Sequence, residues 1–453
     1  MSTAARIGPL HDPAGRNHPR SAGNARAPHP AATQSGAGQG PAAAGPAVQG
    51  PAVQAGPVLL AHLDDGPALA AHRARYGVLP RLDARQLAGL AAEVDVRGRG
   101  GAGFPLARKL TAVAKAKGRR RRTEVVVNLA EGEPASAKDA TLATVVPHRV
   151  LDGAVLAATA LGTRSIHVVV PSDRPHVLVS IETAIGQRRE AREAITWQVH
   201  QADPVFVAGQ GRAVLELLAG RANLPVTSWA PEAVSGHRGR PTLLANAETL
   251  AHLAALVRTG AADYRQFGTA DEPGTTLLTV HEPHARIRIV EVAYGTPWSE
   301  VLGPRSLAHP VLLGGYHGTW AGPGQLAGLS VSRQQLAAAG LSLGAGVVLA
   351  YGERHCPVER TAQIVAYLAG ESAQRCGPCR FGLPALAGEM AGLAGGRVAT
   401  PARVEQLAAL VEGRGACAHP DGTARLVRSL LAIAGPELSR HARGQCRYGS
   451  RGA

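Results

Sequence analysis

The chain has 453 residues, a formal net charge of +15 and 3% aromatic residues. That length allows two or three domains with a sizeable core, no apolar run approaches the roughly 18 residues of a spanning helix, and the shortage of aromatic rings removes the stacking platforms of single-strand nucleic-acid binders. Only four of the 48 basic residues are lysines (Lys109, Lys115, Lys117 and Lys138), so the charge reads as a compositional bias toward arginine and not as a nucleic-acid surface.

Residues 1–56 are Ala, Gly, Pro, Gln and His with few large apolar side chains, and Gly-Pro-Ala-Val-Gln occurs twice in tandem. Such a segment cannot bury enough surface to offset chain entropy and is expected to be disordered. From 57 to 268 strands and helices alternate, the pattern of an α/β domain with a mostly parallel sheet. The stretch 87–95 reads as a helix. Then comes Arg97-Gly-Arg-Gly-Gly-Ala-Gly-Phe-Pro-Leu-Ala-Arg-Lys-Leu110, in which Gly98, Gly100, Gly101 and Gly103 let the backbone turn sharply and press against a ligand. Pro105 suits the first turn of a helix, and Leu106, Leu110 and Val113 form one apolar face of it. A glycine-rich loop feeding a helix N-terminus presents backbone N–H groups to an anion, usually a phosphate. Because a helix and not a strand precedes the loop, the letters G-x-G-x-x-G do not make a standard dinucleotide fingerprint.

Beyond a basic loop at 115–122, strands are expected at 124–128, 166–170 and 196–200, and helices at 149–161, 173–185, 213–219 and 247–258. The strand 124–128 delivers Asn128-Leu-Ala-Glu131-Gly-Glu133-Pro134 to its carboxyl end, where ligands gather in open α/β sheets. A third polar motif, Gly239-Arg-Pro-Thr-Leu-Leu-Ala-Asn246-Ala-Glu-Thr249, could cap a helix through Asn246, contact a ligand, or do both. Alternating strands at 275–281 and 286–293, a short helix after Gly295 and a strand at 347–351 follow. From Glu359 the pattern turns helical, with Thr400 and Pro401 as cap and first-turn residue. The five cysteines argue against a disulfide framework and for thiol or metal chemistry; Cys376-Gly-Pro-Cys379 with a distant Cys417 suits an iron–sulfur cluster, zinc or a redox pair.

These motifs, in this order, resemble the NADH-binding flavoprotein subunit of respiratory complex I and its soluble diaphorase relatives in NAD-linked hydrogenases and formate dehydrogenases. The resemblance implies an α/β flavin-binding domain (57–268), a small β-grasp insert (273–352) and a C-terminal four-helix iron–sulfur domain (356–446). It implies FMN on the Gly98–Gly103 loop, with Arg99 part of that loop. Asn128, Glu131, Asn246 and Thr249 would stand against the flavin, Lys109 at its charged or ring oxygens, Glu133 near the nicotinamide ribose and Gly209 in the opposing turn. Electrons would pass from NAD(P)H through FMN to a [4Fe–4S] cluster, then to an acceptor protein or partner subunit of ferredoxin-like or thioredoxin-like iron–sulfur type. Such a protein is expected to be cytoplasmic, membrane-associated only through partners.

The departures from the family pattern are specific. Ala130 and Ala245 replace an Asp and an Asn, Ala137 replaces a stacking Phe, leaving Phe104 for that role, and Gln210-Gly211 replaces two glutamates. Restoring glutamate at 210 and 211 is therefore expected to speed flavin reduction; a non-catalytic paralogue serving as a structural or electron-relay subunit is the alternative. Ala373 stands where the first cluster cysteine belongs, so Cys376, Cys379 and Cys417 need a fourth ligand, for which Cys446 is favoured over Cys356.

Overall fold

The computed structural model describes residues 50–117, 122–396 and 399–448. Most of the expected tail and half of the expected basic loop lie outside them; 115–117 of that loop instead end a helix. The tail's last residues carry a correction: Ala52–Val53 (β1) pairs in parallel with a strand more than two hundred residues later, and Ala52 N–H donates to the Ile287 carbonyl at 2.7 Å. Directly after it, the Glu291 carboxylate accepts from the backbone N–H groups of Val58, Leu59 and Leu60. Backbone pairing with a distant strand orders this segment, together with the packing of Val53 against the core, and neither is visible in its composition.

Four strands, β2 (Glu124–Asn128), β3 (Ser165–Pro171), β4 (Thr196–Ala202) and β5 (Thr242–Asn246), form one parallel sheet in the order β4-β3-β2-β5. The apolar runs in β2 and β3 have no polar face because both sides are covered. Val125 and Val127 pack into a large core with the helices Ala84–Glu93, Leu106–Lys117, Pro147–Ala160 and Ala247–Tyr264. Val126 points the other way, into a smaller core with Val214, Leu215 and Leu218 of the Gly211–Leu218 helix. After β4 the chain returns to the far side of β2, so the strand order reverses between β2 and β5. The carboxyl ends of those two strands, with Asn128 and Asn246 in register, flank the switch point where open α/β sheets bind ligands.

A second, mixed sheet contains β6 (Thr275–His281), β7 (Arg288–Ala293), β8 (Val311–Leu313), β9 (Thr319–Ala321) and β10 (Val347–Ala350), in the order β1-β7-β6-β10-β8-β9. Only β1–β7 and β6–β10 are parallel pairs. One of its faces builds its own core around Trp298, Leu278 and Val348; Leu312, Trp320 and Leu349 instead pack against the C-terminal helices. Those helices are Pro357–Gly370, Leu383–Gly395, Pro401–Val411, His419–Ile433 and Gly435–Ala442. A π-helical turn over Pro378–Gly382 opens the second of them, next to Cys379, and such turns recur at functional sites. Thr400 caps the third by accepting from Arg403 N–H, as its sequence predicts. Among the described residues no helix is long and apolar enough to cross a membrane.

Candidate cofactor site

The glycine loop closes on itself. Arg97 and Pro105 form an antiparallel bridge, Gly98 N–H donates to the Phe104 carbonyl at 2.9 Å, and Leu106 N–H donates to Val96. The turn between them is pushed out over the switch point, where it forms one wall of a cleft of about 650 Å³. The cleft is also lined by Lys109, Asn128, Glu131, Glu133, Gly209, Asn246 and Thr249, so the structure brings together every residue the sequence assigned to flavin or dinucleotide binding. Its volume is that of a small-molecule site. Gly101 has φ +104°, a conformation side chains rarely adopt, and a Cβ there would meet no protein atom closer than 4.0 Å. The space beside it is therefore left to the cleft. Phe104 is 46% exposed at the cleft wall, with the Arg108 guanidinium 5.5 Å from its ring centre.

Beneath the loop lies a buried polar network. The Lys138 ammonium contacts Asp139 at 2.7 Å, Glu248 at 3.1 Å and the Asn246 side-chain oxygen at 3.3 Å, while the Asn246 amide donates to Asp139 at 2.6 Å. Asn246 caps its helix at the same time, its oxygen accepting from Glu248 N–H, and the same residue lines the cleft. The Thr249 hydroxyl accepts from Arg99 N–H at 2.9 Å, and the Arg99 guanidinium reaches the Thr275 carbonyl, fixing the loop to the second sheet. Asn128 donates to the Gly209 carbonyl at 2.8 Å. These side chains hold the walls of the cleft through bonds within the protein.

Lys109 is different. Its ammonium donates to the Leu244 carbonyl at 2.9 Å, and burial holds its pKa below the ordinary lysine value although Glu232 opposes the shift. A half-buried cation facing a cleft is set to bind an anion. Glu131 is committed to the protein: its oxygens accept from Ser136, from the N–H groups of Asp139 and Ala140, and from Arg174 at 2.7 Å. Glu133 accepts from the N–H groups of Ala135 and Tyr316, which ties the first sheet's turn to the second sheet.

Burial pushes the Glu133 carboxyl up to about 7. An acid raised in the fold stays protonated while the unfolded chain ionises. Stability should therefore fall as pH rises from the ordinary glutamate value toward 7, and level off above it. Glu133→Gln removes this dependence. Melts between about pH 5 and pH 8 should show the variant gaining on wild type by up to about 3 kcal/mol; parallel curves for the two proteins would count against the assignment.

The turn carrying the missing glutamates is informative. Gly209 lies so close to the 128–133 turn that a Cβ would sit 2.2 Å from the Ala130 carbonyl oxygen. A Cβ on Gly211 would lie 2.8 Å from the Glu232 carboxylate, which lines the same cleft. Glu232 thus occupies the space that a side chain at 211 would need. Sequence reading missed it, since nothing local marks a carboxylate some twenty residues beyond the motif. The Gln210 side chain, which lines the cleft, neighbours the Cys417 thiol and so links the cleft wall to the helical region. Phe206 and His317 stack edge to face at 4.6 Å beside that link, and His317 hydrogen-bonds His419 at 3.1 Å.

The Cys379 thiol lies within the electrostatic reach of Cys376 and Cys417. Burial pushes Cys379 up to about 12. Ala373 supplies no donor. Cys446 requires a correction, for it is not with these three. It lies beside Cys356, Glu359 and His441, because the Gly435–Ala442 helix directs the chain end toward the start of the Pro357–Gly370 helix. Three of the four expected thiols therefore lie within electrostatic reach of one another, and the fourth position takes no cysteine among the described residues.

Comparison with known proteins follows the same division of the chain. Residues 91–255 match the family model described as the Nuo51 FMN-binding domain, and residues 359–441 match the NADH-ubiquinone oxidoreductase-F iron-sulfur binding region. An NADH-quinone oxidoreductase F-subunit of Rhizobium meliloti (strain 1021) is 27% identical over 402 residues, covering 83% of this chain and 95% of that protein. The mitochondrial NADH dehydrogenase [ubiquinone] flavoprotein 1 of Dictyostelium discoideum is 25% identical over 371 residues, 76% of each chain. Among solved structures, an NAD+-reducing [NiFe]-hydrogenase in the H2-reduced state superimposes with a TM-score of 0.76 at 27% identity, over 86% of this chain and 67% of that one. With both family regions in place and in order, the chain is a divergent member of the family of NADH-quinone oxidoreductase flavoprotein subunits.

Proposed function

We propose that this protein is an NADH-oxidising electron-transfer flavoprotein that works with partner subunits. The observation that carries the reading is the cleft at the switch point, with the glycine loop on one side and the half-buried Lys109 facing it. When bound, FMN would supply the step from two-electron hydride acceptance to one-electron transfer, and an iron–sulfur cluster would take single electrons onward. The chain's own residues do the positioning. The Gly98–Gly103 backbone and Lys109 suit a flavin phosphate and ring oxygens; Asn128, Asn246 and Thr249 hold the walls; Phe104 offers a ring face. Cys376, Cys379 and Cys417 would supply three corners of a [4Fe–4S] cluster, with Gln210 of the cleft wall beside Cys417. Residues 273–352 are read as the β-grasp insert and 356–446 as the iron–sulfur domain, with the short Gly435–Ala442 helix added to four longer ones. Anaerobically purified protein should release FMN on denaturation, and its flavin absorbance should bleach with NADH. A folded protein that takes up no FMN supplied in excess would overturn the reading.

The second reading, a non-catalytic paralogue, draws on Gln210-Gly211. Glu232 answers part of that objection by returning one carboxylate to the cleft. Glu232→Ala should slow bleaching by NADH about tenfold, the worth of one charge-assisted hydrogen bond. Restoring glutamate at 211, which sequence comparison alone recommends, should instead slow reduction unless Glu232→Ala accompanies it, because two carboxylates would compete for one space. Stopped-flow bleaching of the single and double variants distinguishes the cases; a Gly211→Glu protein faster than wild type would remove Glu232 from the site.

A further inference from the structure

Away from the cleft, the C-terminal region brings a second set of metal-binding donors together. Cys356 precedes the Pro357–Gly370 helix, Glu359 lies in its first turn, His441 is in the last helix and Cys446 follows it. One donor atom from each of the four lies within 4.8 Å of every other. Cys356 and His441 are buried, at 2% and 1% exposure, and Glu359 and Cys446 are partly so. The set is distinct from the other three cysteines: Cys446 and Cys356 pack in one apolar cluster, Cys376 and Cys379 in another.

His441 gives the arrangement its direction. Its Nδ1 lies 2.8 Å from the Ala394 carbonyl, which can only accept, so Nδ1 carries the proton in the neutral ring and Nε2 keeps its lone pair. Nε2 lies 3.3 Å from the Cys356 sulfur. A second-partner carbonyl that fixes the tautomer is the usual support of a ligating histidine. Glu437 lies 3.4 Å from the same Nε2, but its oxygen also accepts from Arg447 N–H at 2.9 Å. Metal–ligand bonds of about 2.0–2.3 Å give tetrahedral edges of about 3.3–3.8 Å. The sulfur–nitrogen separation falls on that range, and the remaining separations need only small side-chain rotations to reach it. Two sulfurs, an imidazole and a carboxylate make a borderline-soft set that favours Zn2+ over the oxygen-seeking Ca2+ and Mg2+.

We propose that Cys356, Glu359, His441 and Cys446 form a structural site for a zinc-type divalent cation, which clips the chain end to the start of the Pro357–Gly370 helix. Both thiols bind as thiolates and release their protons to solvent, with no change of oxidation state. The test is metal content of the intact protein, purified anaerobically, loaded with Zn2+ and freed of excess. Wild type should retain about one zinc per chain besides its iron. Cys446→Ser should drop retained zinc to about a tenth or less with iron and FMN unchanged, and Glu359→Gln should weaken zinc retention with the fold intact. Co2+ loaded in place of Zn2+ should show the visible absorption of a tetrahedral thiolate site, lost in Cys446→Ser. No zinc held by the wild type, full zinc retention in Cys446→Ser, or a Cys356–Cys446 disulfide in the anaerobic protein would each overturn the proposal. Loss of iron from Cys446→Ser together with zinc would do the same, returning Cys446 to the cluster.

Discussion

Gly101→Val should give a folded protein that no longer retains FMN. A Cβ at this position meets no protein atom closer than 4.0 Å, so the substitution leaves the core untouched. What it disturbs is the loop. The φ of +104° costs a branched residue on the order of 1–3 kcal/mol. The loop relieves that strain by turning its backbone N–H groups away from the cleft, and the added methyls enter the ligand's space. The combined effect on FMN affinity should be on the order of a hundredfold or more. Flavin fluorescence of the protein after gel filtration reads it directly, with circular dichroism confirming the fold. A variant that keeps stoichiometric FMN would show that the loop does not contact the flavin.

Lys138→Met should be the most destabilising single change in the network under the cleft. Burial by itself lowers the ammonium's pKa, but Asp139 and Glu248 outweigh it and the net shift is upward. Lys138 in turn keeps Glu248 ionised against burial. Methionine matches the volume but leaves Asp139 without its cation and Glu248 with only Arg99, at 3.8 Å, a loss of about 3–5 kcal/mol for a broken buried pair. Thermal melts should show a large drop, partly recovered in Lys138→Met combined with Glu248→Gln, because the second change removes one stranded charge. An unchanged melting temperature in the single variant would mean that the carboxylates are protonated in the native state.

Much of this was legible in the chain itself. The strand at Glu124–Asn128 carries an unbroken apolar run that a sheet covered on both faces can use, and Gly98–Gly103 before an amphipathic helix reads as a ligand loop. Among the elements that were missed, two show the physical reasons. The strand Thr242–Asn246 has no alternation and runs straight into a helix, so its polar end was read as a motif and its backbone role came only from pairing with β2. Ala52–Val53 is two residues long and is ordered by hydrogen bonds to a strand far along the chain, which composition cannot encode.

By itself, then, the sequence determined local matters: where the backbone must turn, which helix faces are apolar, and that a C-x-x-C pair and a distant cysteine exist; its resemblance to the family added that Gln210-Gly211 stands in place of two glutamates. Tertiary structure alone decided what those residues meet. It set Asn128 beside Asn246 at the reversal of strand order, placed Glu232 where a side chain at 211 would stand, and carried Cys446 away from Cys376 and Cys379 to Cys356 and His441. The reason is common to all three. Spacing along a chain fixes neighbours within a turn or a strand, whereas contacts across a hundred residues depend on how sheets and helices pack, and the residues that meet there carry no local mark of each other.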